Sequence, residues 1–236
     1  MLGFETRLDA LERMDVEALS PEDAAGILNA LEIINRWLGG ARATLHYLNR
    51  FARRWNPGQT IRILDWGTGG ADMPRAIVRW ARRNGHRVRV TGIDHNPAII
   101  AEARRRCAND PDIELIEADA RQWPDPKEPF DYVISSMTLH HLRDDEIVEL
   151  LQRSDRLARR GIIMNDLIRS ARAWAWIRAL STICRAHPIV RADGPTSVRR
   201  AFTKSELRGY ARRAGLSYLN VGTFFGYRQA LAGEKS

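Results

Sequence analysis

The stretch that decides the fold is ILDWGTGGADMP, residues 63–74, in which an apolar run leads into a glycine-rich loop. Asp65 closes the apolar run, and glycine takes three of the four positions from 67 to 70. A short buried run, a loop with little side-chain bulk and a following helical pattern predict a strand–turn–helix unit. Such a loop lets a ligand lie against the backbone because no Cβ intervenes. The N–H groups that open the next helix favour an anionic group there.

Strand and helix patterns alternate after this unit, which predicts a parallel sheet covered by helices on both faces. The last two predicted strands are joined too tightly for a crossover helix, so they form an antiparallel hairpin. The sequence therefore predicts an α/β protein with a Rossmann-like, doubly wound, seven-stranded sheet that ends in this hairpin. The predicted strands are residues 61–66, 88–94, 113–119, 130–137, 161–167, 216–224 and 227–233.

The chain divides into a helical N-terminal cap, residues 1–57, and a core, residues 58–236, at the turn signal Asn56-Pro57-Gly58. Within the cap, Ser20 and Pro21 predict the start of a helix. Residues 170–202 form an insertion in the core. They are interpreted as a lid over the pocket of the molecule that accepts the transferred group or, alternatively, as packed helices. Trp174 and Trp176 are candidate walls of an apolar pocket. The helices of the N-terminal cap are expected to close the other side of this pocket. Its candidate lining residues there are Asn35, Trp37 and Tyr47.

Asp65, Gly67 and Gly69 form the pattern D-x-G-x-G directly after a strand. This pattern resembles the first motif of the class I S-adenosylmethionine-dependent methyltransferases, usually D/E-x-G-x-G-x-G, and the terminal hairpin is typical of the same class. Ala71 stands at the third glycine position, a departure that narrows the loop. A dinucleotide fingerprint, G-x-G-x-x-G, would need glycine where Asp72 stands, so the residues favour S-adenosylmethionine.

The resemblance implies that S-adenosylmethionine binds across the ends of the first three strands and leaves as S-adenosylhomocysteine. Asp94 would accept hydrogen bonds from both ribose hydroxyls. Asp119 would accept one from the adenine amino group, and the backbone N–H of Ala120 would assist. The cofactor residues implied in this way are Asp65, Gly67, Thr68, Gly69, Asp94, His95, Asp119, Ala120, Ser135 and Ser136.

The run LHHL, residues 139–142, resembles a run found after the fourth strand in ubiquinone-type, menaquinone-type and other small-molecule methyltransferases. His140 and His141 are adjacent and are expected to face different ways, one as a base near the acceptor and the other packed. A phenol has a pKa near 10, so a base accelerates its methylation at neutral pH. Arg199 and Arg200, in a predicted loop, would stabilise a phenolate or carboxylate, or else form a solvated pair.

The remaining features limit the partners. Asn165-Asp166 resembles a pair in the metal-dependent catechol methyltransferases. In those enzymes the first carboxylate ligand stands at the end of the fourth strand, where this chain has serine, so no metal is expected. Asp166 is expected to line the pocket or to orient a histidine. The sequence lacks the motifs of adenine N6- and pyrimidine C5-methyltransferases. The net charge is +8, but the arginines are scattered near predicted helix ends, where they complement helix dipoles, so nucleic acid is not favoured.

The sequence thus predicts a cytoplasmic S-adenosylmethionine-dependent methyltransferase with no membrane span. Its acceptor is expected to be a small aromatic or quinone-like molecule, methylated at oxygen. A homodimer is left open. Two alternatives remain: an RNA or protein methyltransferase, motivated by the net charge, and a catalytically idle protein that binds the cofactor.

Overall fold

A computed structural model describes residues 3–37 and 39–235 of the chain. The described helices and strands alternate as the sequence predicts, after an N-terminal helical region. The strands are β1 (Thr60–Trp66), β2 (Arg87–Asp94), β3 (Ile113–Glu117), β4 (Phe130–Ser136), β5 (Ala158–Leu167), β6 (Asn220–Phe224) and β7 (Arg228–Glu234). The helices are α1 (Arg13–Val16), α2 (Pro21–Trp37), α3 (Gly40–Phe51), α4 (Asp72–Arg83), α5 (Pro97–Arg106), α6 (Asp144–Leu157), α7 (Ala171–Ile183), α8 (Pro188–Arg200) and α9 (Lys204–Arg213).

The seven strands form one sheet in the order β3-β2-β1-β4-β5-β7-β6. The first five strands are parallel, and β7 is antiparallel to both β5 and β6. This confirms the predicted doubly wound sheet with its terminal hairpin. The order reverses between β1 and β4, and in such sheets ligands bind outside the carboxyl ends of the strands at this point.

Helix signals in the sequence are reproduced in the side-chain contacts. Ser20 Oγ accepts a hydrogen bond from the backbone N–H of Asp23 at the start of α2. Thr203 and Glu206 form a reciprocal capping box at the start of α9. Apolar side chains cover both faces of the sheet, and the central strand residues, such as Ile63, are fully buried. Among the described residues, no helix is both long and apolar enough to cross a bilayer.

The segment before α9 differs from its predicted form. The sequence analysis placed Arg199 and Arg200 in a loop, but residues 188–200, which include Gly194 and Pro195, form α8. Proline removes one backbone donor from a helix, but α8 buries Ile189, Val190 and Val198. Tertiary packing thus outweighs the local signal. The consequence for the site is that Arg199 and Arg200 lie in the last turn of a packed helix.

The N-terminal segment, residues 7–14, packs against α8, which is part of the predicted lid, and against the turn that follows β4. The backbone N–H groups of Arg13 and Met14, at the start of α1, donate to the two carboxylate oxygens of Asp193 in α8, at 2.9 and 3.0 Å. Arg7 donates to the backbone carbonyls of His140 and Leu142. These contacts hold residues 7–14 over the turn that follows β4.

Candidate functional site

The loop between β1 and α4 has the shape that the glycine pattern predicts. Gly67 and Gly69 have positive φ angles of 64° and 53°. A Cβ on Gly67 would lie 2.4 Å from Oγ1 of Thr138, so a larger residue could not pack here. A Cβ on Gly69 would meet no described atom within 4 Å, so this backbone faces open space. Ala71 also has a positive φ, 57°, which is costly for a residue with a Cβ.

Two of the predicted acidic residues organise this loop. Asp65 is buried, and its Oδ2 accepts a hydrogen bond from Thr68 Oγ1 at 2.9 Å. Burial raises the pKa of Asp65 to about 8. Asp94 ends β2, and its Oδ2 accepts the backbone N–H of Gly69 at 2.9 Å, while Oδ1 accepts that of Asn96 at 3.1 Å. Asp65 therefore stabilises the loop from the buried end of the strand. Asp94 lies at the carboxyl end of β2, and its side chain is 13% exposed.

The third acidic residue already has a partner in the protein. Both oxygens of Asp119 accept hydrogen bonds from Arg121, which lower the pKa of that carboxyl. The carbonyl of Ala120 accepts a hydrogen bond from Arg153 at 2.6 Å. The side chain of His95 is 73% exposed. The sequence analysis did not predict the ion pair between Asp119 and Arg121. Their separation of only two residues could have indicated it.

The predicted serines at the end of β4 lie on different sides of the strand. Ser135 is buried, and its Oγ donates to the carbonyl of Trp66 at 2.8 Å, which ties β4 to β1. Ser136 Oγ accepts from the side-chain amide of Asn165 at 3.2 Å. Met137 follows with a positive φ of 64° and lines a pocket described below.

The two histidines lie in a 3₁₀ turn, residues 139–141, and both side chains approach the carboxylate of Glu12. His140 Nε2 lies 3.6 Å from Glu12 Oε1, and His141 Nε2 lies 4.0 Å from Oε2. The expectation that the rings face different ways is therefore wrong. Successive side chains in a 3₁₀ turn differ by about 120° rather than the 180° of a strand, so both can reach one carboxylate.

Each histidine is held from behind by a second carboxylate. His140 Nδ1 lies 2.7 Å from Oδ1 of Asp166, at the end of β5, and its backbone N–H donates to Oδ2 at 3.0 Å. This confirms the prediction that Asp166 orients a histidine. His141 Nδ1 lies 2.8 Å from Oδ2 of Asp15. Burial works to raise the pKa of both carboxyls, but the histidine charge and hydrogen bond outweigh it and lower each pKa.

Glu12 is the central residue of this group, and the sequence analysis missed it. It is 1% exposed, and burial raises its pKa to about 7. Ser197 Oγ donates to its Oε2 at 2.8 Å, whereas its Oε1 has no hydrogen-bond partner among the described residues. No local pattern marks this residue, because its partners lie more than a hundred positions along the chain.

The two predicted arginines make different contacts: Arg200 binds the backbone of the histidine turn, and Arg199 binds the N-terminal segment. Arg200 is buried and donates to the carbonyls of His140 and His141, each at 3.0 Å. It also donates to the carbonyl of Ala10. The backbone carbonyl of Arg199 accepts the N–H of Leu8 at 3.0 Å. In this structure Arg200 connects the N-terminal segment to the histidine turn by hydrogen bonds, and its guanidinium is used for these backbone contacts rather than for an acceptor.

An apolar pocket of about 480 Å³ of empty space, its mouth included, lies between the N-terminal segment, α2, α7, α8 and the ends of β4 and β5. Its lining combines a largely aliphatic wall with polar side chains. The lining side chains that the argument uses are Glu12, Asn35, Met137, Leu167, Ile177 and Arg228.

Other candidates for the acceptor wall lie elsewhere. Trp176 is 52% exposed and packs against Tyr227, and Trp174 packs beneath Arg178. Tyr47 lies against Phe224, away from the lining. The side chain of Trp37 lies outside the described part of the structure. Asn35 alone of the earlier aromatic and polar candidates lines the described pocket.

Glu12, His140 and His141 present ligand atoms within 4.8 Å of one another, a grouping able to hold a metal ion. The described surroundings also supply protein partners for it: Ser197 donates to Glu12, and Arg200 Nε lies 3.8 Å from Oε1. The guanidinium provides positive charge beside the carboxylate. The absence of a metal stays a prediction, which a chelation control tests below.

The arrangement at the strand ends matches a known fold. The sheet, its terminal hairpin and the glycine loop constitute the fold of the class I S-adenosylmethionine-dependent methyltransferases. The family model described as a methyltransferase domain matches residues 63–161, from the glycine loop to the first part of β5. This part of the chain is therefore similar to a methyltransferase domain.

Individual relatives agree with this class. Over 56 residues the chain is 45% identical to trans-aconitate 2-methyltransferase of Escherichia fergusonii, a stretch of 24% of this chain and 21% of that protein. The match thus spans only about a fifth of the length of the curated relative. Among solved structures, plantazolicin methyltransferase BpumL, in complex with a triazolic desmethyl analogue and S-adenosylhomocysteine, has a TM-score of 0.62 at 13% identity. That alignment covers 92% of this chain and 100% of that one.

Human N-acetylserotonin methyltransferase, in complex with S-adenosylmethionine, also has a TM-score of 0.62, at 16% identity. The alignment covers 92% of this chain and 57% of the human one. At these identities the solved structures establish the shared fold.

Proposed function

We propose that this chain transfers a methyl group from S-adenosylmethionine to a hydroxyl oxygen of a small aromatic acceptor. The observation that carries the proposal is the apolar pocket at the ends of β4 and β5, whose lining includes the buried carboxylate of Glu12, one oxygen of which makes no hydrogen bond to a described residue. Apolar walls with a few convergent polar groups are typical of small-molecule sites. The fold neighbours that carry S-adenosylmethionine or S-adenosylhomocysteine support the choice of cofactor.

The residues around the glycine loop fit this cofactor. Gly69 leaves open space where a Cβ would project, so a nucleoside could approach the backbone there. Asp94 stands at the end of β2 to accept ribose hydroxyls, and Asp119 stands beyond β3 for the adenine. When bound, S-adenosylmethionine supplies an activated methyl group on a sulfonium. The protein then has to align the acceptor oxygen and exclude water from the pocket.

Glu12 is proposed to take the proton from the acceptor hydroxyl. It lines the pocket, whereas His140 is not one of the lining residues. A buried carboxylate whose pKa lies near 7 is matched to proton transfer at neutral pH. His140, oriented by Asp166, faces Glu12 Oε1 with its Nε2 at 3.6 Å. The histidine is thus a positioning residue, and the base in contact with the acceptor is the glutamate.

The test is a methyl-transfer assay with isotope-labelled S-adenosylmethionine and a panel of phenols, with products identified by mass spectrometry. Glu12→Gln keeps the shape and removes the charge, and it should lower kcat by about 10²- to 10⁴-fold, the contribution of a general base. The affinity for S-adenosylhomocysteine should not change. Glu17→Gln is the matched control, because Glu17 lies in an exposed ion pair with Arg13.

Several outcomes would contradict the proposal. Full activity of Glu12→Gln would remove the assigned base. Loss of activity after dialysis against a chelator, with recovery on adding a divalent cation, would show a metal at Glu12, His140 and His141. Tight cofactor binding without turnover on any phenol would favour the idle alternative. RNA affinity that falls steeply with salt would favour a nucleic-acid substrate.

A further inference from the structure

The mechanism above leaves one buried charge in the pocket unused. Arg228 is the first residue of β7, lines the pocket and is fully buried. Its Nη2 donates to the side-chain carbonyl of Asn35. Its Nε and Nη1 have no hydrogen-bond partner among the described residues. Two donor nitrogens of one guanidinium are therefore unpaired beside the empty space.

Such an arrangement is costly in the free protein. Burying a charged group whose donors are unpaired carries a large desolvation penalty. Burial lowers the pKa of Arg228 to about 10, so the group remains charged at neutral pH. The nearby carboxyls of Asp166 and Asp72 offset part of this penalty. However, Asp166 is already bound by His140 and by the backbone N–H of Leu167.

We propose that Arg228 binds a carboxylate on the methyl acceptor, which makes the acceptor a hydroxylated aromatic acid. A planar guanidinium with two free N–H donors matches a carboxylate in a bidentate pair. The aliphatic walls, among them Leu167 and Ile177, would cover the faces of the ring. This inference rests on the proposed function, since it places the carboxylate of the same acceptor whose hydroxyl meets Glu12.

The carboxylate of the cofactor is the other source of the same chemistry. The strand order places β7 three positions from β1, across β4 and β5. At about 4.8 Å between neighbouring strands, this is about 14 Å from the strand that carries the glycine loop. Asn35 bridges the two regions, because its amide nitrogen lies 3.4 Å from Asp72 at the start of α4. The pocket that Arg228 lines also contains Glu12 but no residue of the glycine loop, so the acceptor is the favoured source and the cofactor is an outcome of the test.

The experiment measures binding of hydroxybenzoates to the protein saturated with S-adenosylhomocysteine, with the matching hydroxybenzamides as neutral probes. We expect at least one hydroxybenzoate to bind about 10- to 100-fold more tightly than its amide, as for a charge-assisted pair. Arg228→Gln should abolish this difference, and Arg228→Lys should restore part of it. Arg191→Gln, at an exposed position of α8, is the matched control and should leave it unchanged.

A second readout separates binding from folding. Because Arg228→Lys keeps the positive charge near Asp166 and Asp72, its melting temperature in the free protein should stay close to that of the wild type. A large fall in melting temperature would make Arg228 a structural residue and overturn the inference. Equal binding of acids and amides, or no binding of any acid, would also overturn it.

The cofactor arm uses S-adenosylhomocysteine and 5′-methylthioadenosine, which lacks the carboxylate. If Arg228→Gln weakens only the first of these, Arg228 binds the cofactor and the inference fails. Absence of S-adenosylhomocysteine binding by the wild-type protein would instead contradict the proposed function. The two failures are therefore distinguishable.

Discussion

The proposed cofactor side, around the glycine loop, and the proposed acceptor side, around Glu12 and the apolar pocket, are built from contacts that span very different distances along the chain. On the cofactor side, Asp65 binds Thr68 three residues later, and Gly69 binds Asp94 over 25 residues. On the acceptor side, His141 meets Asp15 across 126 residues, and Ser197 meets Glu12 across 185. Short sequence motifs therefore specify the part around the glycine loop. The part around Glu12 is formed only when segments far apart in the sequence come together in the folded chain.

This difference has an energetic counterpart. The glycine loop buries one carboxyl, that of Asp65, and is otherwise held by hydrogen bonds from its backbone N–H groups, as from Gly69 to Asp94. The acceptor side instead buries several ionisable groups together, among them Glu12, Asp166, Arg200 and Arg228. Partly paired buried charges reduce stability and are concentrated at functional sites. The acceptor side is where we expect function and stability to be in conflict.

The largest effect is expected from closing the glycine loop. Gly67→Ala places a methyl group 2.4 Å from Thr138 Oγ1 at a positive φ. Backbone strain and overpacking should together lower the free energy of unfolding by about 2–4 kcal/mol. S-adenosylhomocysteine binding should be lost in the folded fraction. Gly85→Ala is the matched control, because Gly85 also has a positive φ but no described atom within 4 Å of a Cβ.

Denaturant unfolding and calorimetric titration of the two variants measure this difference. Equal losses for Gly67→Ala and Gly85→Ala would mean that the close approach to Thr138 has no consequence.

The acceptor side should respond to pH through Glu12. Its pKa is about 7 in the folded protein against a usual 4.5, so the folded state holds a proton that the unfolded state has released. Stability therefore falls as pH rises from about 4.5 to 7, by up to about 3 kcal/mol. Glu12→Gln removes this loss, so the variant should gain stability relative to wild type between pH 5 and pH 8.

Unfolding free energies of wild type and Glu12→Gln at both pH values provide the measurement. A constant difference between the two proteins would contradict the raised pKa. The rate of methyl transfer should rise with pH through about 7 in the wild type only, since the carboxylate form of Glu12 is the base.

A smaller effect is expected at the end of β2. Asp94→Ala removes a carboxylate that would bind the ribose hydroxyls, so cofactor affinity should fall by about 1.5–3 kcal/mol. Glu117→Ala is the control, because Glu117 is an exposed acidic residue directly beside Asp94 in the register of β2 and β3. Titration with S-adenosylhomocysteine measures both. Similar losses in the two variants would indicate general charge rather than a specific contact.

The sequence predicted the sheet well because strand patterns and their turns are local. The hairpin turn at Phe225-Gly226 is an example, since both residues have positive φ. The sequence analysis failed at α8, where Arg199 and Arg200 were predicted to lie in a loop but buried apolar residues sustain a helix. The position of Asp94 followed from strand periodicity. That of Glu12 could not, since it depends on how α1 is held by Asp193 of α8.

The most direct test of this account is a crystal structure of the protein with S-adenosylhomocysteine and a bound hydroxybenzoate. The account predicts the nucleoside across the ends of β1, β2 and β3, with the ribose on Asp94. It predicts the phenol oxygen within hydrogen-bond distance of Glu12 and the carboxylate on Arg228. A nucleoside bound elsewhere, or an acceptor whose hydroxyl lies away from Glu12, would contradict it.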